Sequence, residues 1–276
     1  MLATTTIVAD VVAAVGGSRV EVSSLIPRDV DPHAFEPTPQ DVRSVAEAQV
    51  IFENGLGLEA FLGNLVKSAG AGVPVVSVSA EIEPLPAGGH VAQEQTTARA
   101  EWDPHVWLDP QNVILWTNVI ETSLSALDPQ GAADYARAAD EYRLELQALD
   151  AEVEMELAVI PNEQRRLVTD HEEFAYFARR YGFEIVGTVI PAPSAAAEPS
   201  ARELAALEDA IRNTGVRAVF VSSVVTPALA GQVAEDTGIQ LVTLYAHSLS
   251  DRDGPAPTYL ELMRLNARLI AEALAG

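Results

Sequence analysis

The sequence predicts an α/β protein of two lobes, each with a parallel sheet, joined by one long helix. Strand-like and helix-like segments alternate along both halves of the chain, which is typical of parallel α/β folds. Residues 49–79 and 217–245 share one plan: a buried strand, a polar turn, a helix and a second strand. Between the halves, Asp128-Pro129 predicts the start of a helix that runs to about residue 160, roughly 45 Å long and therefore long enough to traverse both lobes. We expect lobes at residues 1–127 and 161–276, with the linking helix at residues 128–160.

Local patterns predict the elements of the first lobe. Residues 4–9 and 20–27 have the composition of the first two strands, and residues 49–52 and 73–78 predict two more. Thr38 before Pro39 indicates a helix start, with Thr38 as the N-cap and Pro39 at the first helical position. Residues 88–99 are polar and contain two glycines, so we expect a surface loop there.

The second half repeats these signals. Asp109-Pro110 predicts a helix start just before the linking helix, and Ser200 with Glu203 has the spacing of a capping box. The strands of the second lobe are predicted at residues 166–169, 185–190, 218–222 and 241–245.

Composition limits the classes of function. The 276-residue chain has no cysteine, so disulfides and thiolate metal sites are excluded and any metal must be bound by oxygen and nitrogen. A net charge of −23 argues against nucleic-acid binding, which requires a basic surface, and favours the approach of cations. No apolar run reaches the length of a membrane span, about 18 residues. No signal-peptide pattern precedes residues 4–9, so we expect that any such peptide has been removed or never existed.

Four of the five histidines are the main evidence for function. His33, His105, His171 and His247 lie two in each half, each in a polar or proline-bearing segment where a strand-like run gives way to a helix-like one. Open α/β sheets bind ligands at the carboxyl ends of their strands, and imidazole is the commonest protein ligand of zinc and its first-row neighbours. We therefore expect the four imidazoles to meet at one ion between the lobes.

The segments around these histidines resemble a known family. They are Asp-Pro-His-Ala-Phe-Glu-Pro-Thr-Pro at 31–39 with Asn-Gly-Leu-Gly-Leu-Glu at 54–59, Asp-Pro-His-Val-Trp-Leu-Asp-Pro at 103–110, Thr-Asp-His at 169–171 with Phe-Ala-Tyr-Phe at 174–177, and residues 244–249 with 254–259. In this order they resemble the solute-binding proteins of zinc and manganese ABC transporters, along essentially the whole chain. The resemblance implies two α/β lobes on one long helix, a divalent ion in the cleft between them, an ABC permease as partner and a location outside the cytoplasm, either free or lipid-anchored.

The resemblance also bears on the metal. The third ligand position of the family is histidine in zinc-type members and commonly glutamate in manganese-type members, and here it is His171. The fourth position is usually an aspartate, whereas this chain has His247; Asp251 and Asp253 lie near enough in sequence to be alternative ligands. Four neutral nitrogens would complete a tetrahedral zinc shell. We predict zinc as the cargo, with Mn²⁺ as the alternative.

Acidic residues near the histidines would balance the charge of the ion. Glu36, Asp103, Asp109 and Asp170 are candidates to accept the second ring N–H of a ligand histidine, although helix capping is the expected role of Asp109 and Asp170. The fifth histidine, His90, falls in the polar loop, and we expect it to be an exposed residue without a role in the site.

Other functions remain alternatives. A zinc-dependent hydrolase is the competing class, but the segment that begins at His171-Glu172 has Ala175 where a metalloprotease helix has its second histidine. A closed shell of four protein ligands also leaves no position for a catalytic water. We therefore predict that the chain is not an enzyme. A surface adhesin of the same fold is a further alternative, and we expect the protein to be a monomer.

Overall fold

Two four-stranded parallel sheets form the framework of the protein. The computed structural model describes residues 1–70, 72–88, 102–190 and 199–275. The strand order is β2-β1-β3-β4 in the first sheet and β6-β5-β7-β8 in the second, so the two sheets share one topology. The strands are β1 (Leu2–Ala3), β2 (Ser23–Ser24), β3 (Ile51–Glu53), β4 (Val75–Ser77), β5 (Arg166–Thr169), β6 (Glu184–Thr188), β7 (Ala218–Ser222) and β8 (Gln240–Leu244). The common order confirms the two-lobe α/β fold that the repeated plan predicts.

Helices cover the sheets and connect them. They are α1 (Thr6–Gly16), α2 (Pro39–Glu47), α3 (Leu62–Ala69), α4 (Pro110–Leu127), α5 (Ala132–Leu157), α6 (Ala175–Tyr181), α7 (Ala201–Thr214), α8 (Ala228–Thr237) and α9 (Tyr259–Leu274). Among the described residues, no helix combines the length and the hydropathy needed to cross a lipid bilayer.

The predicted first strand is mostly wrong. Only Leu2–Ala3 pairs in the sheet, and helix α1 begins at Thr6. β-branched residues favour strands, but the Thr5 hydroxyl accepts a hydrogen bond from the amide of Val8 at 3.1 Å and caps the helix instead. The second strand is also shorter than predicted, since only Ser23–Ser24 pairs with β1.

The other helix-start signals have mixed outcomes. Thr38 and Asp109 are N-caps, each followed by a proline at the first helical position, as predicted. Asp128-Pro129 does not begin the long helix, because α4 ends there and α5 begins only after Gly131. Asp128 instead forms an ion pair with Arg19 at 2.8 Å. The capping box of Ser200 and Glu203 is present.

The long helix α5 is the centre of the molecule. Its 26 residues span about 39 Å, and it packs against α1, α4 and α9. The largest apolar core runs without interruption from Val8 in α1 through Leu146 in α5 to Phe220 in the second sheet. Two smaller cores lie against the outer faces of the two sheets. Because close-packed interiors deform little, the shared core holds both lobes in one arrangement.

Candidate metal centre

The structure brings His33, His105, His171 and His247 together between the lobes. His171 lies two residues beyond the end of β5, and His247 lies three residues beyond the end of β8. His33 lies in a 3-10 turn (Pro32–Ala34) beyond β2, and His105 precedes a second 3-10 turn that leads into α4. One ring nitrogen from each histidine lies within 4.8 Å of the corresponding nitrogens of the others. The Nε2 atoms of His33 and His105 are 3.0 Å apart.

Most of the cluster is shielded from solvent. The side chains of His105, His171 and His247 are buried, and His33 alone of the four is partly exposed. The rings of His171 and His247 stack at 5.0 Å, while His33 meets the other three edge-on or tilted. His33 therefore marks the side of the cluster that is nearest to solvent.

Hydrogen bonds behind the rings orient three of the imidazoles. The Nδ1 atom of His105 lies 2.7 Å from an Asp103 oxygen, and that of His171 lies 2.7 Å from an Asp170 oxygen. The Nδ1 atom of His247 is 2.9 Å from the Ser222 hydroxyl. An aspartate can only accept there, so Nδ1 of His105 and of His171 carries the proton and the Nε2 lone pair points into the cluster. The Nε2 atoms of His171 and His247 have no hydrogen-bond partner among the described residues.

The environment keeps three of the imidazoles neutral, those of His33, His105 and His247. Burial, together with repulsion from His105 and His171, lowers the pKa of His33 from 6.5 to about 2. Burial also lowers the pKa of His105 and of His247 well below 6.5, and the neighbouring histidines add to the effect. Metal coordination requires the deprotonated nitrogen, so His33, His105 and His247 are in the ligand form at neutral pH.

Two Asp-Pro-His segments share one backbone hydrogen-bond pattern. Asp31 accepts the backbone N–H of His33 at 2.9 Å, and Asp103 accepts that of His105 at 2.9 Å. The carboxylate two residues before each histidine thus fixes the turn that presents the ring. The repeated motif was a signal in the sequence for this role of Asp31, which the sequence analysis missed.

The segment that carries His247 is attached to the first lobe. The Trp107 indole N–H donates to the carbonyl of Ala246 at 2.7 Å, and the amide of Leu249 donates to the hydroxyl of Thr6 at 3.0 Å. These contacts hold a segment of the second lobe against the first on both sides of His247.

The predicted acidic residues take different places. Asp103 hydrogen-bonds to the Nδ1 of His105, as expected. Asp109 caps α4 by accepting a hydrogen bond from the backbone amide of Gln111 at 3.0 Å. For Asp170 the expectation of helix capping is wrong, because its two oxygens are bonded to His171 and to the amide of Ser222. Glu36 is exposed.

The residues beyond His247 and the fifth histidine lie elsewhere. Asp251 and Asp253 are exposed, and the four-histidine cluster of the described residues contains neither. His90 lies outside the described residues, as does most of the predicted loop at residues 88–99.

Glu173 is the buried acidic residue of the cleft that the sequence analysis did not identify. In the sequence it lies in the segment that has Ala175 where a metalloprotease helix has its second histidine. Its side chain is 1% exposed, and burial and the nearby Asp170 carboxylate, with which it shares a hydrogen bond when one of them is protonated, raise its pKa well above 4.5. Local sequence gave no signal, because its burial depends on the packing of both lobes.

Two parallel α/β lobes that enclose a buried cluster of imidazole and carboxylate side chains define a two-lobed metal-binding protein. Residues 1–273 match the family described as the periplasmic component A of zinc-uptake complexes, ZnuA, and the chain belongs to this family. Proteins of the family are periplasmic metal-binding components that work with ABC transporters, and the chain is one of them. This confirms the family that the histidine segments indicate.

Relatives across this family bind different metals. The chain is 32% identical to the manganese-binding lipoprotein MntA of Halalkalibacterium halodurans, over 98% of this chain and 86% of that protein. It is 32% identical to the iron-binding protein YfeA of Yersinia pestis, over 99% of this chain and 85% of that protein. The periplasmic zinc-binding protein TroA of Treponema pallidum superposes with a TM-score of 0.86 at 29% identity, covering 100% of this chain and 98% of that chain. Family membership therefore establishes a metal cargo without specifying which metal.

Proposed function

We propose that the protein captures zinc outside the cytoplasm, with His33, His105, His171 and His247 as ligands, and delivers the ion to an ABC permease. The observation that supports this most directly is the meeting of four imidazole nitrogens within 4.8 Å of one another in a buried cleft. Neutral imidazole suits zinc, and four nitrogens at about 2.0–2.1 Å complete its tetrahedral shell. The protein makes and breaks coordination bonds only.

The geometry favours capture by a site that is already assembled. The acceptors behind His105 and His171 hold both rings in place, and the low pKa of His33 leaves its ring free of a competing proton. Little conformational entropy is therefore lost when the ion binds, and such preorganisation raises affinity. The partly exposed side of His33 gives the ion its nearest route from solvent.

We further propose the organisation expected from the sequence, with lobes at residues 1–127 and 161–276 and a linking segment at residues 128–160. In support, β1 to β4 lie in the first range, β5 to β8 lie in the last, and α5 lies between them.

Manganese is the second candidate cargo. The relative MntA is named a manganese-binding protein, and Glu173 places a carboxylate beside the imidazoles. Manganese favours oxygen donors more than zinc does, so the two metals make different demands on the same cluster.

Calorimetric titration of the metal-stripped chain with Zn²⁺ and with Mn²⁺ tests the proposal. We expect one ion per chain, zinc bound more tightly than manganese, and a clear loss of zinc affinity in His247→Ala. Asp253→Ala is the matched control, because this exposed residue is the sequence alternative to His247. A parent chain that binds neither ion, or a His247→Ala variant with parental zinc affinity beside a weakened Asp253→Ala, would contradict the proposed site.

A further inference from the structure

Glu173 lies against the histidine cluster on the side of the second lobe. Its Oε2 atom is 3.8 Å from Nε2 of His171, the nitrogen that points into the cluster, and 3.5 Å from Nδ1 of His247. The side chain is 1% exposed, so its carboxyl group cannot be stabilised by hydrogen bonds to bulk water.

The other carboxylates around the cluster already have hydrogen-bond donors. Asp31 accepts a hydrogen bond from the backbone amide of His33. Asp103 accepts hydrogen bonds from the backbone amide and the Nδ1 of His105. Asp170 accepts hydrogen bonds from the backbone amide and the Nδ1 of His171, and a third from the backbone amide of Ser222. Neither oxygen of Glu173 receives a hydrogen bond from an amide, imidazole or alcohol group of the described residues. Within the described part of the chain, Glu173 can share a hydrogen bond only with Asp170, and only when one of these two carboxyl groups is protonated. An ionised Glu173 buried beside ionised Asp170 is therefore costly unless a cation compensates its charge.

We propose that Glu173 is an oxygen ligand that joins the histidines when a divalent cation occupies the cluster. The inference rests on the proposed function and adds a ligand that the four-histidine set lacks. Two adjacent ligands on an ion with bonds of about 2.1 Å lie roughly 3.0–3.5 Å apart. The 3.8 Å between Oε2 and the Nε2 of His171 is close to this value, and His171, Glu173 and Asp170 themselves lie close enough together to share an ion.

A fifth, anionic ligand changes the preference of the site among divalent metals. Four imidazoles carry no charge, so with histidines alone the double charge of the ion is balanced by carboxylates that hydrogen-bond to the histidines, those of Asp31, Asp103 and Asp170. A direct carboxylate oxygen supplies negative charge in contact with the ion and offers manganese the donor type that it prefers. Glu173 therefore sets how strongly the cluster discriminates against manganese.

The test compares Glu173→Gln, which keeps shape and removes the charge, with Glu172→Gln, which makes the same change at the half-buried neighbour. Each metal-stripped variant is titrated with Zn²⁺ and Mn²⁺. In Glu173→Gln we expect manganese affinity to fall by about 10–100-fold and zinc affinity to fall less, with Glu172→Gln close to the parent. Parental affinity for both metals in a folded Glu173→Gln would overturn the inference.

Cobalt(II) gives a second measurement, which reports the number of ligands and can overturn the inference with the parent chain alone. Four-coordinate Co²⁺ absorbs visible light several-fold more strongly than five-coordinate Co²⁺, so the parent chain itself reports the number of ligands. A weak, five-coordinate spectrum that becomes strong in Glu173→Gln supports the inference, whereas a strong four-coordinate spectrum in the parent overturns it. A parent chain that binds no Zn²⁺, Mn²⁺ or Co²⁺ refutes the proposed function, and the inference with it.

Discussion

Glu59 connects the stability of the protein to the positioning of His105. Its buried carboxylate accepts the Thr4 hydroxyl at 2.6 Å, the amide of Asn54 at 2.7 Å and the amide of Gly55 at 3.0 Å. The Asn54 side chain in turn donates to the carbonyl of Pro104 at 3.0 Å, directly before His105. Replacement by glutamine keeps the shape but removes the ionisation, so Glu59→Gln isolates the energetic effect of the buried charge.

The sign of the pH effect follows from the raised pKa. Burial raises the pKa of Glu59 from 4.5 to about 7, although the hydrogen bonds from Thr4 and Asn54 act in the opposite direction. A group with a raised pKa contributes stability that is full below its unfolded pKa and is lost as pH rises through the folded value. Between about pH 5 and pH 8 the parent should therefore lose about 2–3 kcal/mol of unfolding free energy relative to Glu59→Gln.

Urea denaturation of metal-stripped parent and variant, at several values between about pH 5 and pH 8, measures this difference. The glutamine amide group faces a backbone N–H donor and lowers stability by a constant amount, so only the pH dependence of the difference tests the argument. A gap between parent and Glu59→Gln that stays constant over the range would refute a raised pKa at Glu59.

Two further substitutions test the acceptor that orients His105 and the glycine that permits the turn after β3. Asp103→Asn removes the anionic acceptor behind His105, and zinc affinity should fall by about 10–100-fold in a calorimetric titration; unchanged affinity would mean that Asp103 does not orient the ring. Gly55→Ala should lower the free energy of unfolding by more than about 1 kcal/mol, since φ is +88° and a Cβ would lie 2.1 Å from the Ser77 hydroxyl. Gly57→Ala is the matched control, with φ of +85° and open space around the Cβ, and equal losses in both variants would rule out the steric clash.

Much of the fold could be predicted because its signals are local. The caps at Thr38 and Asp109 and the capping box at Ser200 each satisfy helix amides within three residues, so a short window of sequence contains all the partners. The predicted strands of the second lobe lie within two residues of those observed. The errors at residues 4–9 and at Asp128 arose where one short segment fits either of two local structures.

The sequence by itself was enough to predict that His33, His105 and His171 lie in one site, because the motifs around them are short and occur in the order of the family they resemble. Tertiary structure alone decided that His247 lies in the cluster while Asp251 and Asp253 remain exposed. It also decided the role of Glu173. A residue's burial and its distance to groups far along the chain depend on how both lobes pack around one shared core, and no local pattern encodes that packing.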